Sequence, residues 1–155
     1  MDAPFEMARI VRTGPVKLMA VAALRGSCLC GGVEFEVTEP FETLRYCHCA
    51  SCKKLSGSTG TVNGRVPATA IRILEGDYLL QTFQPAEGSA KTFCRACGSN
   101  LFGGGWPDSE TASVRASALD DPFDARPSAH IFVRSVAVWE TLPDDGLERF
   151  ETTSG

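Results

Sequence analysis

Seven cysteines in three tight groups constrain this chain more than any other feature: Cys28 and Cys30, then Cys47, Cys49 and Cys52, then Cys94 and Cys97. An odd number cannot all pair as disulfides within one chain. In a compartment where thiols stay reduced, such groups turn toward metal or catalysis. The spacing then assigns them. Cys94-Arg95-Ala96-Cys97 followed by Gly98 has the form of a zinc knuckle. Two sulfurs three residues apart converge on one ion if the chain turns tightly, and glycine supplies the positive φ that lets backbone N–H groups approach the thiolates. Cys28-Leu29-Cys30, followed by Gly31-Gly32, is an i, i+2 pair that extended chain would point to one face. Two such pairs make a closed four-sulfur site that staples the start of the domain to its middle.

The remaining group reads Cys47-His48-Cys49-Ala50-Ser51-Cys52. Cys47 and Cys49 could share one face of a strand end, with Cys52 returning from the first turn of a helix. Three thiolates leave one tetrahedral position open, which separates a zinc that can meet a substrate from a purely structural one. Thiolates suit zinc better than magnesium or calcium. Alternation turns His48 to the opposite face. Other readings stay open at this point: two disulfides or a core cluster for the four cysteines, and a redox trio or a site closed by His48 for the three.

The rest of the sequence says what surrounds these groups. The 155 residues are 43% hydrophobic and 22% charged, within the globular range. A chain this long buries roughly 70% of the surface it exposes when unfolded. Fifteen basic against 19 acidic side chains, a net charge of −4, argue against a broad nucleic-acid surface. No apolar run approaches a membrane span. Lys17 and the apolar stretch Leu18 to Leu24 are too short and too far from the N-terminus for a typical signal peptide. The expectation is a cytoplasmic protein with no nucleic-acid or membrane partner. Residues 1–23 are read as an N-terminal arm, with Met19 an alternative start, and 24–155 as one zinc-binding domain.

That domain reads as short strands. Val33, Phe35 and Val37 alternate with Glu34, Glu36 and Thr38. Strands are also expected at Leu44–Tyr46, Thr61–Val66, Ile71–Leu74, Tyr78–Phe83, Lys91–Phe93, Asn100–Phe102, Ala112–Ser117 and His130–Val133. Glu75-Gly76-Asp77 is expected to join two of them as a hairpin turn. The one helical stretch is Ala50–Leu55, with Gly57 to stop it. The fold class is therefore all-β with one short helical turn.

The segments GSCLCGGVEFEV, CHCASCKKLSGS, FCRACGSNLF and LDDPF…HIFV…VWETLPDD, in that order, resemble the glutathione-dependent formaldehyde-activating enzymes over residues 25–150. The resemblance implies a β-tent of small antiparallel sheets organised around zinc. It implies a structural zinc at Cys28, Cys30, Cys94 and Cys97, and a second, catalytic zinc at Cys47, Cys49 and Cys52. The implied activity joins formaldehyde to the thiol of glutathione, giving S-hydroxymethylglutathione, formally a carbon–sulfur lyase run in reverse. The expected partners are therefore a small thiol such as glutathione and a small aldehyde. A non-catalytic zinc module that binds a protein or small molecule is the alternative.

Lys53, Lys54, Arg65 and Arg95 are candidates to meet the carboxylates of such a thiol, against a plain reading as solvated charges. Ser56, Ser58 and Thr59 could donate hydrogen bonds from a polar loop. Trp106, Trp139, Phe102 and Phe132 are expected in the core or on its rim, and His130 is expected to be a satisfied structural histidine. No Ser-His-Asp order, phosphate loop or dinucleotide fingerprint is present.

Overall fold

A computed structural model describes residues 22–153. Eleven strands and one helix follow in order: β1 Leu24–Ser27, β2 Glu34–Val37, β3 Thr43–Cys47, α1 Ala50–Ser56, β4 Thr61–Pro67, β5 Ile71–Glu75, β6 Leu80–Phe83, β7 Lys91–Cys94, β8 Asn100–Gly103, β9 Thr111–Arg115, β10 Ala129–Ile131 and β11 Glu148–Phe150. They form a three-stranded sheet, β1-β2-β5, and an eight-stranded sheet, β11-β10-β3-β4-β9-β8-β7-β6. Pairing is antiparallel except around β10, which runs parallel to both β3 and β11. The all-β reading with one short helix holds. The expected arm lies almost wholly outside the described residues.

The alternation in β2 does what period two requires. Phe35 and Val37 are buried while Glu34 is exposed. Phe35 meets Phe102 of β8 edge-on, with ring centroids 4.9 Å apart, so this pair clamps the small sheet to the large one. Val33, Val66, Ile71, Leu101 and Val114 complete the interior around them. Burying each such side chain contributes about 1.5–3 kcal/mol. Gly26 is required beneath this contact, because a Cβ there would collide with the Phe35 ring and the Ala118 carbonyl.

Register sorts the large sheet into two faces. Gly64 stands opposite both Leu44 and Val114, and Val66 opposite Ala112, on the face turned to the core. The intervening residues occupy the other face: Cys47 opposite Thr61, Arg45 opposite Asn63, Asn63 opposite Arg115, and Arg65 opposite Ser113. That second face is polar and cationic, and it carries the edge of the three-cysteine group.

Two expectations are corrected. β5 and β6 do not form a hairpin: β5 pairs with β2 in the small sheet, and β6 with β7 in the large one. Gly76, at φ 76°, and a 3₁₀ turn over Asp77–Leu79 send the chain from one sheet to the other. Cys28 and Cys30 do not lie on extended chain either. They occupy the turn between β1 and β2, closed by Gly31 N–H to the Cys28 carbonyl at 2.9 Å and Cys28 N–H to the Val33 carbonyl at 3.0 Å.

Candidate metal centres and the adjoining cleft

The Cys28, Cys30, Cys94 and Cys97 sulfurs all lie within 4.8 Å of one another. Around a tetrahedral zinc with bonds of about 2.3 Å, neighbouring sulfurs stand about 3.8 Å apart. Here Cys28 and Cys30 are 3.5 Å apart, and Cys30 and Cys94 are 4.0 Å apart. Four soft donors at that separation fit a closed zinc site. The backbone completes the cage. Val33 N–H donates to Cys28 Sγ at 3.2 Å, and Gly98, at φ 79°, closes the knuckle through its N–H to the Cys94 carbonyl at 2.7 Å. Burial pushes the Cys28 thiol up, but the Val33 N–H and the neighbouring thiols outweigh it and leave it lowered. Hydrogen bonds with Ser99 hold Cys97 at about 6.

The Cys47, Cys49 and Cys52 sulfurs form the second group, also within 4.8 Å of one another. Cys47 ends β3. Cys49 caps α1, its sulfur accepting the Cys52 N–H at 3.3 Å. Cys52 lies in the first turn, so all three sulfurs are set by one strand end and one helix start. Gly57, at φ 62°, ends α1 as the sequence requires. Cys47 and Cys52 are buried while Cys49 is half-exposed. Hydrogen bonds from Cys47 and Cys49 hold Cys52 far below the ordinary thiol range. The contacts with Cys49 and Cys52, together with burial, push Cys47 up. Three sulfurs held this close suit the trio to a soft cation. Among the described residues no fourth cysteine, histidine or carboxylate joins it.

His48 points away from the trio, as alternation requires. Its Nε2 lies 2.9 Å from His130 Nδ1, and His130 Nε2 lies 3.0 Å from Asp145 Oδ2. His130 is 2% exposed and stacks on Tyr46, so it is the satisfied structural histidine expected. Burial lowers the His48 pKa.

A cleft of about 570 Å³ opens over the trio, within the size range of small-molecule sites. Cys47, Cys49 and Cys52 line it together with Arg45, Arg65, Lys91, Arg115 and Arg134, against the single carboxylate of Glu87. Arg45 Nε is buried without a partner among the described residues. Arg65 pairs with Glu42 at 3.2 Å, and Lys91 Nζ donates to the Ser89 carbonyl at 2.9 Å. Of the cations singled out from sequence, only Arg65 reaches this cleft. Lys53 is committed elsewhere, donating to the Ser135 carbonyl and tying α1 to the cleft rim. Lys54 and Arg95 are exposed and line no part of the cleft. Arg45 was legible in principle, because it precedes Cys47 by two residues on one strand. Arg115, Lys91 and Arg134 arrive through pairings and turns that no local pattern announces. Trp139 is 83% exposed and lies outside the core.

These features define an all-β protein with two sulfur clusters able to hold metal, one closed and one bordering a cationic cleft. The sequence profile of the glutathione-dependent formaldehyde-activating enzymes matches residues 23–135, and the chain belongs to that family. A curated relative from Halomonas elongata, provisionally named as a glutathione-dependent formaldehyde-activating enzyme, is 29% identical over 138 residues, 81% of this chain and 85% of the relative. In the fold, a crystal structure of a Rhodobacter sphaeroides protein is similar at a TM-score of 0.54 and 22% identity, covering 82% of this chain and 99% of the other. No helix among the described residues is long and apolar enough to cross a membrane.

Proposed function

We propose that the chain condenses formaldehyde with glutathione, using zinc held by Cys47, Cys49 and Cys52, while Cys28, Cys30, Cys94 and Cys97 hold a second, structural zinc. The observation that carries this reading is the pairing of a three-sulfur centre with a predominantly cationic cleft. Glutathione brings a thiol together with two carboxylates. In this reading Arg45 and Arg134, which line the cleft, would receive those carboxylates, and the thiol would arrive beside the partly exposed Cys49. Zinc held by Cys47, Cys49 and Cys52 would favour thiolate over thiol and polarise a carbonyl oxygen.

The chain's own residues hold and orient. In the reaction the C–S bond forms between the glutathione sulfur and the formaldehyde carbon, and the thiol proton ends on the former carbonyl oxygen. The cations of the cleft neutralise the substrate, and orientation of two small reactants against each other lowers the entropic barrier. α1, pinned by Lys53 to the Ser135 carbonyl, keeps Cys49 and Cys52 in register with Cys47. The expected compartment is the cytoplasm, where reduced thiols persist.

Exchange between free glutathione and its hydroxymethyl adduct, followed by NMR, tests the reading. The protein is expected to accelerate exchange above the spontaneous rate, and Cys52→Ser is expected to return it to background. Exchange at the spontaneous rate with a fully metal-loaded protein would instead favour a non-catalytic zinc module.

A further inference from the structure

We infer that Asn63 and Arg115 are positioning residues for the metal held by Cys47, Cys49 and Cys52, with Arg115 as the counter-charge and Asn63 as the hydrogen-bond donor to Cys52. The inference rests on the reading that this trio binds zinc, and deepens it.

The two residues stand directly opposite each other on β4 and β9, facing the trio's side of the sheet. Arg115 is 2% exposed. Its Nη1 donates to Asn63 Oδ1 at 2.6 Å and to Ser113 Oγ at 3.3 Å, while its Nε and Nη2 have no partner among the described residues. Among those residues no carboxylate pairs with it. A buried guanidinium is costly unless compensated, and arginine does not lose its proton to escape. Through Asn63 it adjoins the cysteine trio, whose thiolates would compensate it. Three thiolates and a divalent ion carry a net charge of −1, which one arginine cancels.

Arginine also settles the orientation of the amide. It donates hydrogen bonds and accepts none, so Asn63 must present its oxygen to Arg115. The amide nitrogen then faces Cys52, with Nδ2 3.9 Å from Sγ. That places an N–H against the Cys52 sulfur. Partners of this kind orient metal ligands, and their loss typically weakens metal affinity about 10–100-fold.

The test is chelator competition on the two-metal protein, with the four-cysteine cage as internal reference. Arg115→Met is expected to weaken metal binding at the trio at least about tenfold while leaving the cage unchanged, and Arg115→Lys to recover part of the loss. Asn63→Asp keeps an oxygen for Arg115 but removes the N–H from Cys52, and is expected to weaken the trio by a similar factor. In the cobalt form, Arg115→Met and Asn63→Asp should shift the thiolate-to-metal absorption of the trio alone. Asn63 is only half-buried, so the Asn63→Asp protein decides the matter even if Arg115→Met fails to fold. Unchanged trio affinity in a folded variant overturns the inference and leaves the zinc reading standing. A wild-type trio that takes no metal overturns the zinc reading itself.

Discussion

His130 approaches the three-cysteine segment from behind: its Nδ1 lies 2.9 Å from His48 Nε2, between the two cysteines that end β3 and cap α1. Asp145 then fixes the other side of the His130 ring at 3.0 Å. The chain of contacts runs from the rim to the backbone that carries the candidate ligands. The hydrogen bond to His130 holds the Asp145 carboxyl below its ordinary value of 3.8. A carboxylate with a lowered native pKa contributes stability that is fully present above the ordinary value and is lost as pH falls through the lowered one. Asp145→Asn is therefore expected to melt below wild type at neutral pH, with the gap narrowing as pH falls below about 3.8. Thermal melts across that range check it; a gap that does not narrow in acid contradicts the assignment.

The two sulfur clusters should fail differently. Cys97→Ser opens the cage that joins the β1–β2 turn to the β7–β8 turn, and metal binding at such sites is coupled to folding. A drop in melting temperature of more than about 10 °C, or loss of soluble protein, is expected. Cys52→Ser should keep the fold, bind one metal and lose adduct exchange. Metal analysis with circular dichroism separates the cases. Equal losses of stability in both would remove the division of labour.

The sequence made part of this site plain and hid the rest. Local chemistry was readable: the Gly98 turn, the Gly57 stop, the grouping of the cysteines, and the outward turn of His48 all follow from rules spanning a few residues. Long-range pairing was not. Ile71–Leu74 and Tyr78–Phe83 carry strand-like patterns around a turn tripeptide, yet Gly76 and the Asp77–Leu79 turn deliver them to different sheets. β11 is three residues long and pairs in parallel with β10, a contact without a local signature. The cleft's charge depends on the same long-range register. Arg115 belongs to it because β9 lies beside β4 with Arg115 opposite Asn63.

The contact between the sheets sets the stability of the scaffold. Phe102 is fully buried and touches both Phe35 and Trp106, at centroid distances of 4.9 and 4.6 Å. Phe102→Ala is expected to cost about 3–5 kcal/mol through lost transfer energy and the cavity left behind. Denaturant unfolding measures it. A cost below about 1 kcal/mol would mean that the sheets are held chiefly by metal.

Charge in the cleft should govern substrate binding and leave chemistry alone. Arg45→Glu is expected to raise the KM for glutathione at least about tenfold, near 1.4 kcal/mol, with kcat little changed. The wild-type KM should rise with ionic strength, because the attraction is screened. A fall in kcat at constant KM would place Arg45 in the reaction itself.

The proposed function requires one full sulfur cage and one three-sulfur centre that accepts an outside thiol. Cobalt-substituted protein titrated with glutathione addresses this most directly. Two cobalt ions per chain are expected, with glutathione shifting the thiolate-to-cobalt absorption of one and leaving the other unchanged, and Cys52→Ser abolishing the shift. A spectrum indifferent to glutathione in protein holding both ions would contradict it.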